Sequence, residues 1–244
     1  MNHEVDPKLL GRQPDEVARM FTEISPRYDL LNRVLSFGMD GSWRKTAVRF
    51  ARPAQARHIL DLASGTGDLS LAFAEAPGFS GDVLGIDFSE AMVQLAREKA
   101  TARSLATRVQ FREGDALATG EPDEAYDVVS IGFGLRNFND PERGLRECLR
   151  VLAPGGRLVV VDFFSKDEIL PVRFYLDHVL PLIGRVVSRS RSAYTYLRES
   201  KKGFWTPEEL THRLLATGFR EVMTKPLTMG IAHCVVGVKR SGFS

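Results

Sequence analysis

Cysteine is scarce in these 244 residues: Cys148 and Cys234 are the only two. A disulfide framework is therefore not what holds the chain together, and a reducing compartment suits it. Tryptophan is equally sparse, at two, and no apolar run approaches the ~20 residues of a membrane-spanning helix. Neither sign of charge dominates: 33 Lys and Arg stand against 31 Asp and Glu, a net +2, so bulk charge does not argue for nucleic acid. His3, His58, His178, His212 and His233 show neither the paired spacing nor the clustered carboxylates of a zinc or iron site. Glu4, Asp6, Asp15 and Glu16 stand where a secretory signal would be basic and then apolar, so the expected location is cytoplasmic. What remains, 43% hydrophobic and 26% charged residues, is a globular composition at a length that suits one large core.

From residue 57 to 163 short apolar runs alternate with amphipathic helical stretches. The runs are Ile59–Leu62, Val83–Ile86, Val109–Phe111, Val128–Ile131 and Leu158–Val161. Such Val, Ile and Leu runs with helices between them read as parallel strands covered on both faces, an α/β doubly wound sheet. Ser89 is placed to N-cap a helix over Glu90–Ala102, Pro141 opens another to Leu152, and Pro154-Gly155-Gly156 reads as a tight turn. Thr206-Pro207-Glu208-Glu209 is a capping box with Gly218 past the helix end. Arg220–Lys225 and Ala232–Val238 are then two strands whose short connection makes them antiparallel. Helices over about Pro14–Ile24 and Asp40–Ala51 precede the first strand as an N-terminal cap. The expected organisation is a single domain over 1–244, with the cap at 1–56, a core at 57–163, a helical lid at 164–205 and a final helix with two strands at 206–240.

The sharpest local signal is Asp61-Leu62-Ala63-Ser64-Gly65-Thr66-Gly67-Asp68, between the first strand and a helix. Its glycines allow a ligand close to the backbone at the carboxyl ends of the strands. A dinucleotide fingerprint needs a third glycine where Ser70 stands, and Asp61 and Asp68 would repel a pyrophosphate. A cationic ligand meets no such repulsion. Asp87 ends the second strand and Asp115 follows the third, both at the crevice where open α/β sheets bind ligands. Any one such Asp is ordinarily a helix cap or a solvated acid. The ordered set suits a ribose diol at Asp87 and an exocyclic adenine amine at Asp115. Sugar, base and positive charge together describe S-adenosylmethionine.

The order of elements resembles the class I methyltransferase fold, Rossmann-like, with a seven-stranded, mostly parallel sheet and an antiparallel last strand. That resemblance puts Asp61, Gly65, Thr66 and Gly67 around the methionine end, Asp87 on the ribose and Asp115 and Ala116 at the adenine, with Phe88 and Gly132 as further cofactor-binding residues. Amine methylation of nucleic-acid bases is disfavoured, because Ile131–Phe138 lacks the Asp or Asn followed by Pro-Pro and an aromatic. Cys148 lies mid-helix without the Pro-Cys of a cysteine nucleophile.

Tyr28-Asp29-Leu30-Leu31-Asn32, Leu35-Ser36, Trp43, Phe133-Gly134-Leu135-Arg136-Asn137, Arg150–Gly156, Tyr194–Leu197 and Ser200 together resemble the ubiquinone/menaquinone biosynthesis C-methyltransferase family, over about residues 17–238. Departures are Leu31 for Met, Asp40 for His, Ala153 for Lys and Asp162 for Glu, and no catalytic role is carried onto Asp40. Gly132, where ubiquinone-forming members often have Ser, is closer to the menaquinone-forming members. The resemblance implies C-methylation of a prenylated quinol, demethylmenaquinol to menaquinol, with the ubiquinone-pathway benzoquinol, another lipophilic small molecule, or a silent S-adenosylmethionine- or RNA-binding protein as alternatives. An aromatic carbon attacks only after the neighbouring hydroxyl loses its proton, so the site must align the groups, stabilise an oxyanion and move one proton. Arg136 is expected at the oxyanion, Asn137 at the hydroxyl or a water, and Tyr28 at the head group. His178 on an apolar helix is ordinarily a packing residue and no dedicated base stands out. Ile169–Val187, broken by Pro171, Pro181 and Gly184, reads as amphipathic lid helices. Arg185, Arg189, Arg191, Arg198, Lys201 and Lys202, interleaved with Tyr194, Tyr196, Phe204 and Trp205, read as a solvated face, a transient contact with an anionic membrane surface, or an RNA-binding mixture of basic and aromatic residues. The expected partners are the prenylated quinol and that surface, not nucleic acid; a homodimer is the one oligomer considered.

Overall fold

The computed structural model describes Asp29, Arg33, Ser36 and residues 38–165 and 204–241. The helix expected over 14–24, Tyr28 and nearly all of the lid expected at 164–205 lie outside the described residues. Helix α1 (Asp40–Ala51) leads into β1 (His58–Leu62), α2 (Asp68–Ala74), β2 (Asp82–Asp87), α3 (Glu90–Ala102), β3 (Val109–Glu113) and β4 (Tyr126–Gly132). Then come α4 (Pro141–Val151), β5 (Leu152–Asp162), α5 (Pro207–Thr217), β6 (Phe219–Leu227) and β7 (Ala232–Lys239). No described helix is long and apolar enough to cross a membrane.

All seven strands form one sheet in the order β3-β2-β1-β4-β5-β7-β6. The first five strands pair in parallel, while β7 lies antiparallel between β5 and β6. The crossover through α5 leaves a gap beside β5 that the hairpin return fills. Side chains alternate across the sheet, as the two-residue period of a strand requires. Ile59, Val83, Val128 and Val159 face one core, shared with Trp43 and Ala47 of α1 and Val93 and Ala96 of α3. Leu60, Val129, Leu158 and Val160 face the other, shared with Leu145 and Cys148 of α4 and Leu210 and Leu214 of α5. The central strands β1, β4 and the second half of β5 are mainly apolar because both faces are covered, whereas the edge strand β6 is mostly exposed and more polar.

Local signals explain most boundaries. In the capping box of α5 the Glu209 N–H donates to Thr206 Oγ1 at 3.1 Å and the Thr206 N–H to Glu209 Oε2 at 2.7 Å. Ser89 occupies the N-cap of α3, but its hydroxyl caps nothing and is buried without a hydrogen-bond partner among the described residues. Asp87 fixes that entry instead, accepting the Ser89 N–H at 3.0 Å. The turn expected at Pro154-Gly155-Gly156 is a bulge inside β5: Leu152 pairs with Tyr126 but Arg157 with Val128, so the residues between are extruded around Gly155 at φ 79°.

Two contacts hold the glycine loop from within. A Cβ at Gly85 of β2 would lie 2.3 Å from Phe111 Cδ1, and one at Gly67 would lie 2.5 Å from Phe111 Cζ. The Phe111 ring fills the space both glycines leave. Asp61, in β1, is 1% exposed and accepts from Ser70 Oγ of α2 and Ser130 Oγ of β4, each at 2.6 Å. Burial, with the Asp87 carboxylate nearby, pushes its pKa up to about 6 against the opposing pull of the two hydroxyls.

Gly85→Ala should lower unfolding free energy in urea by about 1–3 kcal/mol through overpacking, with part recovered when Phe111→Leu is added. For Asp61 the native state holds its proton more tightly than the unfolded chain does. Stability therefore falls as pH rises from about 4 to about 6 and levels off above. The stability of Asp61→Asn relative to the parent should rise across that window by on the order of 3 kcal/mol in urea titrations at pH 4, 6 and 7.5.

Candidate functional site

Strand order reverses between β1 and β4, so their loops leave in opposite directions and open a crevice at their carboxyl ends. Both loops turn sharply. Ala63 and Phe133 adopt φ of 52° and 59°, a left-handed conformation that costs a non-glycine residue about 1 kcal/mol or more. The loops also touch, since a Cβ at Gly134 would lie 2.5 Å from that of Ala63. The Phe133 N–H donates to the Val161 carbonyl of β5 at 2.7 Å, and the Phe133 ring packs against Trp43 and Phe163 at centroid distances of 5.8 and 5.1 Å.

The crevice is a cavity of about 620 Å3. Ala63 and Gly65 line it from the β1 loop; Ile86, Asp87, Phe88 and Met92 from β2 and the start of α3; Glu113 to Leu117 from the β3 end. Gly132, Phe133, Gly134, Asn137, Phe138 and Asn139 close it from the β4 side. Three carboxylates, Asp87, Glu113 and Asp115, lie on one wall, and no Lys or Arg is among the described lining residues. That wall suits a cation with a polar sugar and disfavours a pyrophosphate. Asp87 is the fixed element. It accepts the Gly65 N–H at 2.7 Å on Oδ2 and the Ser89 N–H on Oδ1, while burial raises its pKa against those two bonds. A carboxylate oxygen has two acceptor sites, so each retains capacity for a diol.

Of the residues expected from the sequence, Gly65, Asp87, Phe88, Asp115, Ala116, Gly132 and Asn137 share this cavity. Asp61, Thr66, Gly67 and Arg136 are not among its lining residues. Asp61 is turned into the core, where two serine hydroxyls satisfy it. Thr66, 3% exposed, directs its hydroxyl to Asp29 at 2.6 Å and accepts from Lys99 at 2.9 Å. Gly67 supports the loop against Phe111. Arg136 departs most from expectation: its Nη1 donates to Asp162 Oδ1 and the Phe133 carbonyl, with the guanidinium 5.4 Å from the Phe163 ring centroid. Asp162 is fully buried and also accepts the Arg136 N–H at 3.2 Å and the Phe163 N–H at 2.8 Å. The pair neutralises a buried charge and anchors the turn carrying Asn137. Sequence reasoning missed Met92, Glu113, Leu117, Phe133 and Asn139. Glu113 ends β3 two positions before Asp115, a placement the strand pattern signals; the others depend on tertiary packing.

The ubiE/COQ5 methyltransferase family model matches residues 10–239. A demethylmenaquinone methyltransferase of Thermus thermophilus is 50% identical over 222 residues, 89% of this chain and 99% of that protein. A ubiquinone/menaquinone biosynthesis C-methyltransferase of Geobacter sulfurreducens is 40% identical over 233 residues, 94% of this chain and 91% of that one. Among solved structures, the [4+2]-cyclase SpnF superposes with a TM-score of 0.69 at 20% identity, covering 93% of this chain and 96% of the cyclase, a likeness of fold alone. With the family model spanning nearly its whole length, the chain belongs to the ubiE/COQ5 methyltransferase family and is an S-adenosylmethionine-dependent methyltransferase.

Proposed function

We propose that this methyltransferase converts demethylmenaquinol to menaquinol by methylating a ring carbon of the prenylated quinol. The observation that carries the reading is the 50% identity along 99% of a relative named demethylmenaquinone methyltransferase. The relative that is 40% identical bears both quinone names, which favours the ubiquinone-pathway benzoquinol as the second reading.

The residues on the cavity wall fit the methyl donor. Asp87, pre-positioned by two backbone N–H groups, takes the ribose diol. Ile86, Phe88, Met92 and Leu117 supply apolar walls for the adenine, with Asp115 and Ala116 at its polar edge. Gly65 and Gly132 leave room for the methionine end. When bound, the donor supplies a methyl group activated by a positively charged sulfur. Asn137 meets the acceptor hydroxyl or a water, and Arg136 acts behind it: its bond to Asp162 holds the turn that presents Asn137. Tyr28 of the N-terminal cap is assigned to the head group as a hydrogen-bonding residue, an expectation from the sequence. Transient contact with an anionic membrane surface is part of the proposal, because a prenyl tail partitions into lipid and the sequence from Arg185 to Lys202 is rich in basic residues.

The direct test incubates the protein with labelled S-adenosylmethionine and a panel of demethylated naphthoquinols and benzoquinols. Ring-methylated naphthoquinol is the expected product, and its absence beside methylation of an unrelated phenol would overturn the reading. Asp87→Ala should weaken S-adenosylmethionine binding by about ten- to a hundred-fold in calorimetry. Arg136→Ala and Asn137→Ala should lower kcat while leaving that affinity nearly intact. Removing Arg136 also strands a buried carboxylate, so Arg136→Lys provides the folded control.

A further inference from the structure

The side of the glycine loop away from the cavity is held by a closed polar ring that the methyl-transfer chemistry leaves unused. The ammonium of Lys99, near the end of α3, donates to Asp68 Oδ1 at 2.8 Å and Thr66 Oγ1 at 2.9 Å and forms an ion pair with Asp29 Oδ2 at 2.5 Å. The Thr66 hydroxyl donates in turn to Asp29 Oδ1 at 2.6 Å. Lys99, Thr66 and Asp29 thus close a triangle across three separate parts of the chain. A second arm runs from Asp68 Oδ2 to Arg44 at 3.4 Å, from Arg44 to Asp40, and to Asp40 Oδ1 from Ser36 Oγ at 3.0 Å. Asp68 has an ordinary reason to be where it is, since an acid in the first turn of α2 complements the helix dipole. Asp29 is 44% exposed at its side chain and is tied to two partners at once.

Thr66 is the joint between two functions. Its neighbour Gly65 forms part of the cavity wall, and its side chain faces the ring. Asp29 adjoins Tyr28 in the chain, the residue assigned above to the quinol head group. We propose that Lys99, Asp29 and Thr66 are positioning residues that fix the segment presenting the acceptor to the loop presenting the donor. The inference rests on the proposed quinol methylation for its substrate, and on the ring alone for its geometry. Donor affinity should largely survive loss of the ring, because Gly65 keeps its separate hydrogen bond to Asp87. Acceptor alignment should not, since small misplacements at a distance from the reacting atoms cost rate steeply.

The test compares Lys99→Met, Asp29→Asn and the double variant with the parent. The measurements are quinol kcat and KM, S-adenosylmethionine affinity by calorimetry, and hydrogen exchange of the peptide that carries Asp29, Arg33 and Ser36. Each single variant should lose about ten-fold or more in quinol kcat/KM. Donor affinity should shift far less, and the double variant should fall no further than the singles because both break one ring. Exchange in that peptide should speed up while the amides of β1 and β4 stay protected. Unchanged exchange together with unchanged quinol kinetics would overturn the proposal. So would losses of activity, donor affinity and unfolding free energy in equal proportion, the mark of a merely structural network. Should the parent methylate no quinol, the substrate reading fails, and the exchange comparison still decides whether the ring holds the segment.

Discussion

The hydrogen bond from the Gly65 N–H to Asp87 Oδ2, 2.7 Å long, ties the loop after β1 to the end of β2 and so shapes the acidic side of the cavity. It forms only if the chain leaves β1 in a left-handed turn and lies flat on the sheet. Ala63, Gly65 and Gly67 all have positive φ along that path. Phe111 packs beneath Gly67 and Gly85 and leaves no room for a side chain at either. The acid that the bond orients is buried, and it keeps acceptor capacity turned toward the cavity. A ligand then meets a carboxylate already in place, with its orientation fixed before binding.

The two sides of the cavity differ in character. On one side three carboxylates stand at or just past the ends of β2 and β3 without a described Lys or Arg among the lining residues. On the β4 side the wall is aromatic and amide, with Phe133, Phe138, Asn137 and Asn139. Behind this second wall the Arg136 guanidinium is paired with the buried Asp162 carboxylate, a net-neutral ion pair. The asymmetry is thus one of negative charge at the β2 and β3 ends against a neutral aromatic and amide wall on the β4 side.

Local chemistry made much of the fold legible in the sequence. The bounds of α3 and the capping box of α5 follow from periodicity and from side chains within three or four residues. The antiparallel pairing of β6 and β7 follows from the shortness of their connection. Insertion of β7 between β5 and β6 was not legible, because strand order is set by pairing between distant segments. The site divides in the same way. Asp87, Asp115 and Gly65, which line the cavity, are legible from their positions at or just past strand ends. Asp61 looks identical in sequence, yet Ser70 and Ser130, 9 and 69 residues away, turn it into the core. Ser70 is the residue that breaks the dinucleotide fingerprint, and its hydroxyl is what satisfies Asp61. Arg136 is likewise redirected by Asp162, 26 residues on. The lining by Met92 and Phe133 appears only once α3 and the β4 turn are packed.

The central claim is that the crevice between the β1 and β4 loops receives an adenosyl sulfonium on the Asp87 side. Competition calorimetry with S-adenosylmethionine, S-adenosylhomocysteine and NAD tests it most directly. The two adenosyl compounds should bind one site per chain and displace each other, while NAD fails to compete. Heat from NAD at that site, with none from either adenosyl compound, would contradict the account.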